Sequence, residues 1–252
     1  MKNIVVLVSG GGTNLQALID AENSGIIKSG KITTVISSNP NAYALERAKK
    51  NNIDTDVIRR KDFDTFDEYD TALTELLKSK GADLVVLAGF MTILGHKVIS
   101  AFENKIINIH PALIPSFCGE GFYGLKVHQE ALKKGVKISG ATTHFVTEEC
   151  DGGPIIMQRS VEVKNDDTPE VLQRRIMENV EWKILPLSVE LFCSDKIKVE
   201  DNKTIISEWE VLYSESNIIW ERSSEQRISR QRHYARQNCW RQKCCNHILY
   251  YG

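Results

Sequence analysis

Residues 4–18, IVVLVSGGGTNLQAL, decide how the rest of the chain is read. Ile4 to Val8 form a short run of β-branched and leucine side chains, the pattern of a strand buried on both faces. Gly10, Gly11 and Gly12 break the run, and apolar residues return at helical spacing from Leu15. Strand, glycine turn and helix in that order open a parallel α/β sheet. The turn then lies at the carboxyl edge of the strand, where open sheets of this class bind ligands.

The pattern recurs outward from that unit. Ile32–Ile36, Leu84–Leu87 and Ile106–Ile109 read as further buried strands, and Leu15–Ala21, Ala42–Lys50 and Phe66–Lys78 carry helical spacing. The class is therefore α/β, a mostly parallel sheet with helices on both faces. Ser139–Val146 and Ile155–Val163 read as later strands. Thr168–Phe192 reads as one long helix, capped by Thr168 with Pro169 at its first position.

At 252 residues with a net charge of −1, the chain offers no electrostatic reason to bind nucleic acid or an anionic membrane. No apolar run approaches the roughly 18 residues that span a bilayer. The first apolar run is too short and too glycine-bounded for a secretory signal, so a cytoplasmic location is expected. The six cysteines show no paired CxxC spacing and read as reduced thiols. Composition changes after residue 206: the last 46 residues hold 1 Lys and 6 Arg against 19 and 6 before, with three of the four Trp. The expected organisation is a catalytic domain over 1–206 and an atypical, poorly packed or disordered tail over 207–252.

The glycine turn suits a phosphate. Backbone N–H groups at a helix N-terminus attract an anion, and glycines let the backbone come close. Gly12, Thr13 and Asn14 are the candidate phosphate-binding residues. The turn lacks the GxxxxGK[ST] of a P-loop. Leu15 stands where a dinucleotide fingerprint needs its third glycine, and Ser37–Asn39 supplies no acidic residue for a ribose. A phosphate monoester fits better than a dinucleotide.

NIHPALIP, residues 108–115, carries the candidate chemistry. In a strand, Asn108 and His110 point to one side and Ile109 to the other. Pro111 ends the strand and leaves the pair at its carboxyl end. An amide N–H can meet a developing oxyanion, and an imidazole moves a proton near neutral pH. Asp151, in the turn TEECDGG, is a candidate to orient His110, since a carboxylate beside an imidazole favours its charged form. No GxSxG elbow supports a serine hydrolase, and Cys118 lacks a cysteine-protease context. His110, His128 and His144 match no common metal-ligand spacing, and no metal is expected.

With these residues in place, the sequence resembles the phosphoribosylglycinamide formyltransferase family, folate-dependent enzymes of purine synthesis. The resemblance runs from about residue 2 to 200 and rests on NIVVLVSGGGTNLQAL, DLVVLAGFMTIL, NIHPALIP, GFYGLKVHQEAL, SGATTHFV, DGGPII and ENVEWKILP in that order. It implies a doubly wound, mostly parallel sheet and transfer of a formyl group from 10-formyltetrahydrofolate to the amine of glycinamide ribonucleotide. Asn108, His110 and Asp151 match the family's catalytic trio, Gly12, Thr13 and Asn14 its phosphate loop, and Glu181 a residue that contacts the glycinamide substrate. Met91, Thr92, Ile93 and Leu94, with Thr147, Glu148, Glu149, Cys150 and Asp151, match the segments that hold the folate ring, beside Asn108.

Thr92 and Phe66 stand where relatives often carry Arg, and Phe66 falls near the folate's glutamate end. Both departures weaken the expected anchoring of the folate carboxylates. The same resemblance implies two small-molecule partners, no nucleic acid or membrane, and a monomer or homodimer. Related tRNA formyltransferases carry a further domain that the short tail cannot supply, and related formyltetrahydrofolate hydrolases begin with a regulatory domain. A non-catalytic binding module would have no use for the trio.

Overall fold

Each early strand returns to the sheet through a helix, and that connection makes the first five strands parallel. The computed structural model describes residues 1–207. The tail expected over 207–252 therefore lies, apart from Ser207, outside the described residues. In chain order the described residues form β1 (Lys2–Val8), α1 (Thr13–Asn23), β2 (Gly30–Ser37), α2 (Tyr43–Lys50), β3 (Asp54–Val57) and α3 (Phe66–Ser79). There follow β4 (Leu84–Leu87), α4 (His96–Ala101), β5 (Ile106–His110), α5 (Leu125–Lys134), β6 (Ile138–Phe145) and β7 (Ile155–Glu162). The run ends with α6 (Pro169–Ile176), α7 (Trp182–Cys193) and the hairpin β8 (Ile197–Glu200) and β9 (Lys203–Ile206).

The main sheet has the order β3-β2-β1-β4-β5-β6-β7. Its first five strands pair in parallel, β6 adds antiparallel to β5, and β7 adds antiparallel to β6. The order reverses between β1 and β4, which sets the carboxyl ends of β1, β4 and β5 around one crevice.

β1 is buried on both faces, as its sequence requires. Val5 and Leu7 join a cluster with Tyr69, Leu73 and Leu77 of α3 and Val98 of α4. Ile4, Val6 and Val8 face the other way and are equally inaccessible to solvent. Each such side chain contributes roughly 1.5–3 kcal/mol when fully buried.

The expected single helix over Thr168–Phe192 is not continuous. Thr168 caps α6 by accepting from the Val171 N–H, with Pro169 in the first turn, but a five-residue π turn, Met177–Glu181, separates α6 from α7. Pro186 lies inside α7 and has no N–H for the Trp182 carbonyl, so regular bonding is already interrupted there. The sequence reading also passed over β3, α4, α5 and the β8–β9 hairpin. β3 is a polar edge strand, DTDV, without an apolar run. α4 has six residues, and its cap comes from elsewhere in the chain. The Asp70 carboxylate on α3 accepts N–H bonds from Gly95 (3.1 Å) and Lys97 (2.8 Å). Among the described residues, no helix is long and apolar enough to cross a membrane.

Candidate active site

β5 ends at His110, where Pro111 removes the next ladder donor. The antiparallel register sets Asn108 opposite His144 and His110 opposite Thr142. The β6–β7 loop then brings Asp151 back over the end of β5. Gly153 makes that return possible, because a Cβ there would lie 1.9 Å from the Phe145 carbonyl oxygen. Asp151 itself is left-handed, with φ 57°.

The three predicted catalytic residues converge. His110 Nδ1 lies 3.4 Å from Asp151 Oδ2, and both side chains are nearly buried. Asn108 joins through a residue that sequence reasoning had weighed only as a metal ligand: its Nδ2 lies 3.2 Å from His144 Nε2, and His144 Nε2 lies 3.5 Å from Asp151 Oδ1. His144 Nδ1 donates to the Phe145 carbonyl (2.8 Å), and its Nε2 faces both the Asn108 amide and the Asp151 carboxylate. His110 Nε2 donates to the Phe117 carbonyl (2.9 Å) in the same way, and the Gly119 N–H donates to Asp151 Oδ2 (2.9 Å). Phe117 reaches this position with φ 52°, a strained value for a bulky residue.

The electrostatics pull the pair in different senses. Burial alone would raise the Asp151 carboxyl, but its bond with His144, the His110 charge and the Gly119 N–H hold it below the usual carboxylate range. Burial pushes the His110 imidazole down, against the raising effects of Asp151 and the Phe117 carbonyl. Hydrogen bonding argues for the charged ring nonetheless. Both ring nitrogens face acceptors, and only the imidazolium has a proton for each. His128, fully buried behind the site on α5, is pushed down to about 4 by burial and by His110. Among the described residues, no group of three or more His, Cys, Asp or Glu side chains is arranged to hold a metal ion.

The glycine turn is the second part of the site. Gly12 adopts φ 70° ahead of α1, and a Cβ there would meet that of Ala44 at 2.6 Å. Thr13 and Asn14 occupy the first turn of α1, which has no side-chain cap. Asn14 Nδ2 donates to Glu181 Oε2 at 2.7 Å, joining this loop to the π turn across 167 residues of sequence. Burial raises the Glu181 carboxyl, opposed by the Asn14 amide. Asn14 Oδ1 is buried without a hydrogen-bond partner among the described residues.

The segments matched to the folate ring frame the crevice. Met91 and Ile93 are exposed, and the Met91 N–H is tied to Ser9 Oγ (2.9 Å) beside β1. Leu94 differs, since its side chain packs in the core with Tyr69 and Val98. Thr92 lies beside the hydroxyl of Tyr69, which burial pushes up to about 12. Glu148 pairs with His96 at the start of α4, tying its segment to the helix that follows Met91–Leu94. Thr147 Oγ1 donates to the Glu149 carbonyl (3.4 Å), and Cys150 is exposed next to Asp151. Phe66 opens α3, exposed against Tyr69 and under the Arg60 guanidinium (5.9 Å to the ring centre).

Comparison with known proteins agrees with this architecture. The Formyl transferase family matches residues 2–189. The chain is 43% identical to a phosphoribosylglycinamide formyltransferase of Haemophilus influenzae over 202 residues, covering 80% of this chain and 92% of the relative. It is 39% identical to the enzyme of that name from Escherichia coli, covering 79% and 91%. A crystal structure of glycinamide ribonucleotide transformylase 1 from Symbiobacterium toebii superposes with a TM-score of 0.77 at 41% identity, covering 82% of this chain and 94% of that one. The chain belongs to the formyl transferase family, and within it to the phosphoribosylglycinamide formyltransferases.

Proposed function

We propose that this site moves the formyl group of 10-formyltetrahydrofolate to the amine of glycinamide ribonucleotide through Asn108, His110 and Asp151. The neutral amine attacks the formyl carbon, a C–N bond forms, and the carbonyl electrons move to oxygen. The Asn108 side chain, held beside His144, turns an amide N–H to that oxyanion. His110 Nε2–H leaves the Phe117 carbonyl to donate to the same oxygen, while Asp151 holds the ring through Nδ1. The C–N10 bond then breaks as the oxyanion collapses. The proton lost by the amine returns to N10 by way of Asp151 or an ordered water beside it. The products are formylglycinamide ribonucleotide and tetrahydrofolate.

Gly12, Thr13 and Asn14 receive the substrate phosphate, and Glu181 faces its glycinamide end. Phe66, Met91, Thr92 and Ile93 line the folate site opposite Thr147, Glu148, Glu149 and Cys150, and Leu94 anchors its segment in the core. Both reactants bring their own reactive groups, so the transfer calls on no metal. The proposal extends to a cytoplasmic enzyme, acting as a monomer or homodimer on two small molecules. The observation that carries it is the approach of His110 and Asp151 at the edge of the sheet that also holds the glycine turn. The test offers purified protein glycinamide ribonucleotide, water or tRNA as acceptor for the formyl group. Transfer to the ribonucleotide alone is expected, and release of formate with no formylated ribonucleotide overturns the assignment.

A further inference from the structure

We propose that Arg47 is a positioning residue for the phosphate loop, holding the backbone of Gly11 so that the loop's N–H groups face the substrate phosphate; this rests on the phosphate reading of Gly12, Thr13 and Asn14. All three glycine carbonyls of the turn are engaged on the side facing α2 and α1. The Gly10 oxygen accepts from the Ala44 N–H (3.1 Å), and the Gly12 oxygen accepts from the Gln16 N–H (2.9 Å). The Gly11 oxygen accepts from Arg47 Nε at 2.9 Å. Gly10 and Gly12 are thus held by backbone, whereas the exposed Gly11 depends on one side chain.

That side chain is itself oriented. Arg47 Nη1 donates to Gln16 Oε1 (3.0 Å), and Gln16 Nε2 donates to Asp20 Oδ1 (2.9 Å). The Arg47 guanidinium lies 5.0 Å from the Tyr43 ring centre, and its Cδ would touch a Cβ at position 12. The planar fork therefore bridges the turn, the first helix and the second. A peptide whose carbonyl is fixed on one side presents its N–H on the other. The N–H groups of Gly11, Gly12, Thr13 and Asn14 accordingly have no bond to a carbonyl or side chain among the described residues. The buried, unpartnered Oδ1 of Asn14 sits at the same turn.

The Arg47 guanidinium also brings a positive charge beside this cradle. Charge and geometry are separable, because lysine keeps the charge but cannot span Gly11 and Gln16 with one ammonium as a fixed fork.

The test measures steady-state kinetics of wild type, Arg47→Met and Arg47→Lys with glycinamide ribonucleotide and with its dephosphorylated ribonucleoside. Methionine retains the stem that reaches from α2 to Gly12, and lysine serves should the methionine variant fail to fold. For Arg47→Met, KM for the ribonucleotide rises roughly tenfold or more, the change expected for a lost charge-assisted bond, while kcat and KM for the folate stay within about twofold. The kcat/KM for the ribonucleoside is unchanged, since it has no phosphate to place. Arg47→Lys keeps a raised KM.

An unchanged ribonucleotide KM in Arg47→Met overturns the inference. So does an equal loss with both acceptors, and so does a wild-type KM in Arg47→Lys. If the wild-type enzyme uses both acceptors equally well, the phosphate reading fails first and Arg47 falls with it.

Discussion

Asp151 Oδ2 sits between the Gly119 N–H at 2.9 Å and His110 Nδ1 at 3.4 Å, so one carboxylate oxygen ties the end of β5 to the loop that follows it. The carboxylate raises the His110 pKa against the lowering effect of burial. A reaction that needs the imidazolium loses rate as pH rises through that pKa. Asp151→Asn removes the raising influence, so this limb of the pH profile moves to lower pH. Turnover at neutral pH falls by about a hundredfold or more, the usual scale for an acid–base group. Profiles of kcat/KM for both proteins check it, and coincident limbs rule out the pairing.

Asn108→Ala deletes one donor to the oxyanion and leaves the strand intact. A donor of this kind is worth roughly 3 kcal/mol in the transition state, so kcat falls by about a hundredfold or more with KM little changed. Single-turnover rates with both substrates saturating are the measurement, and a wild-type rate removes Asn108 from the chemistry.

Asp70→Asn should weaken the folate site from a distance. The wild-type carboxylate accepts the N–H groups of Gly95 and Lys97, fixing the start of α4 immediately after Met91–Leu94. Losing the charge costs about 1–2 kcal/mol of stability by urea unfolding. KM for the folate rises while KM for the ribonucleotide does not.

Gly153→Ala places a methyl group against the Phe145 carbonyl, where a Cβ would lie 1.9 Å away. The β6–β7 loop has to shift and take Asp151 with it. A stability loss of roughly 2 kcal/mol or more is expected, with activity falling more steeply than stability explains. Thermal unfolding and turnover on one preparation separate the two effects.

Glu181→Gln has the opposite sign for stability. Burial raises the carboxyl above its unfolded value, so the stability tied to its proton is present at low pH and lost as pH rises through the folded pKa. The glutamine variant holds no such proton. It should be more stable than wild type at alkaline pH, with the gap closing at an acidic pH below the folded pKa, while KM for the ribonucleotide rises. Melting curves at both pH values decide it, and a gap that widens in acid contradicts the sign.

These residues also show where local pattern stops being informative. The apolar run Ile4–Val8 and the glycines after it encode a buried strand and its turn directly. Period-2 spacing suffices to put Asn108 and His110 on one side of β5. The partner of Asn108 is invisible at that level, because His144 meets it only through the antiparallel pairing of β5 with β6. Asp151 reaches His110 by a loop whose course depends on Gly153 clearing a carbonyl, a contact no spacing rule contains. α4 has too few residues for a periodic signal, and its cap lies on α3. Leu94 sits in a segment matched to the folate ring, yet its apolar side chain is taken up by the core.

The widened turn at Met177–Glu181 has a corollary for how the chain tolerates change. Successive residues of a regular helix are about 100° apart around the axis, so trimming one residue from this turn into α geometry would rotate α6 by that amount against α7. With α7 held in the core, Asn14 would then face a different neighbour from the carboxylate it now bonds. Single-residue insertions and deletions across 177–181 therefore act as phase errors at the contact between Asn14 and Glu181, harsher there than many outright substitutions.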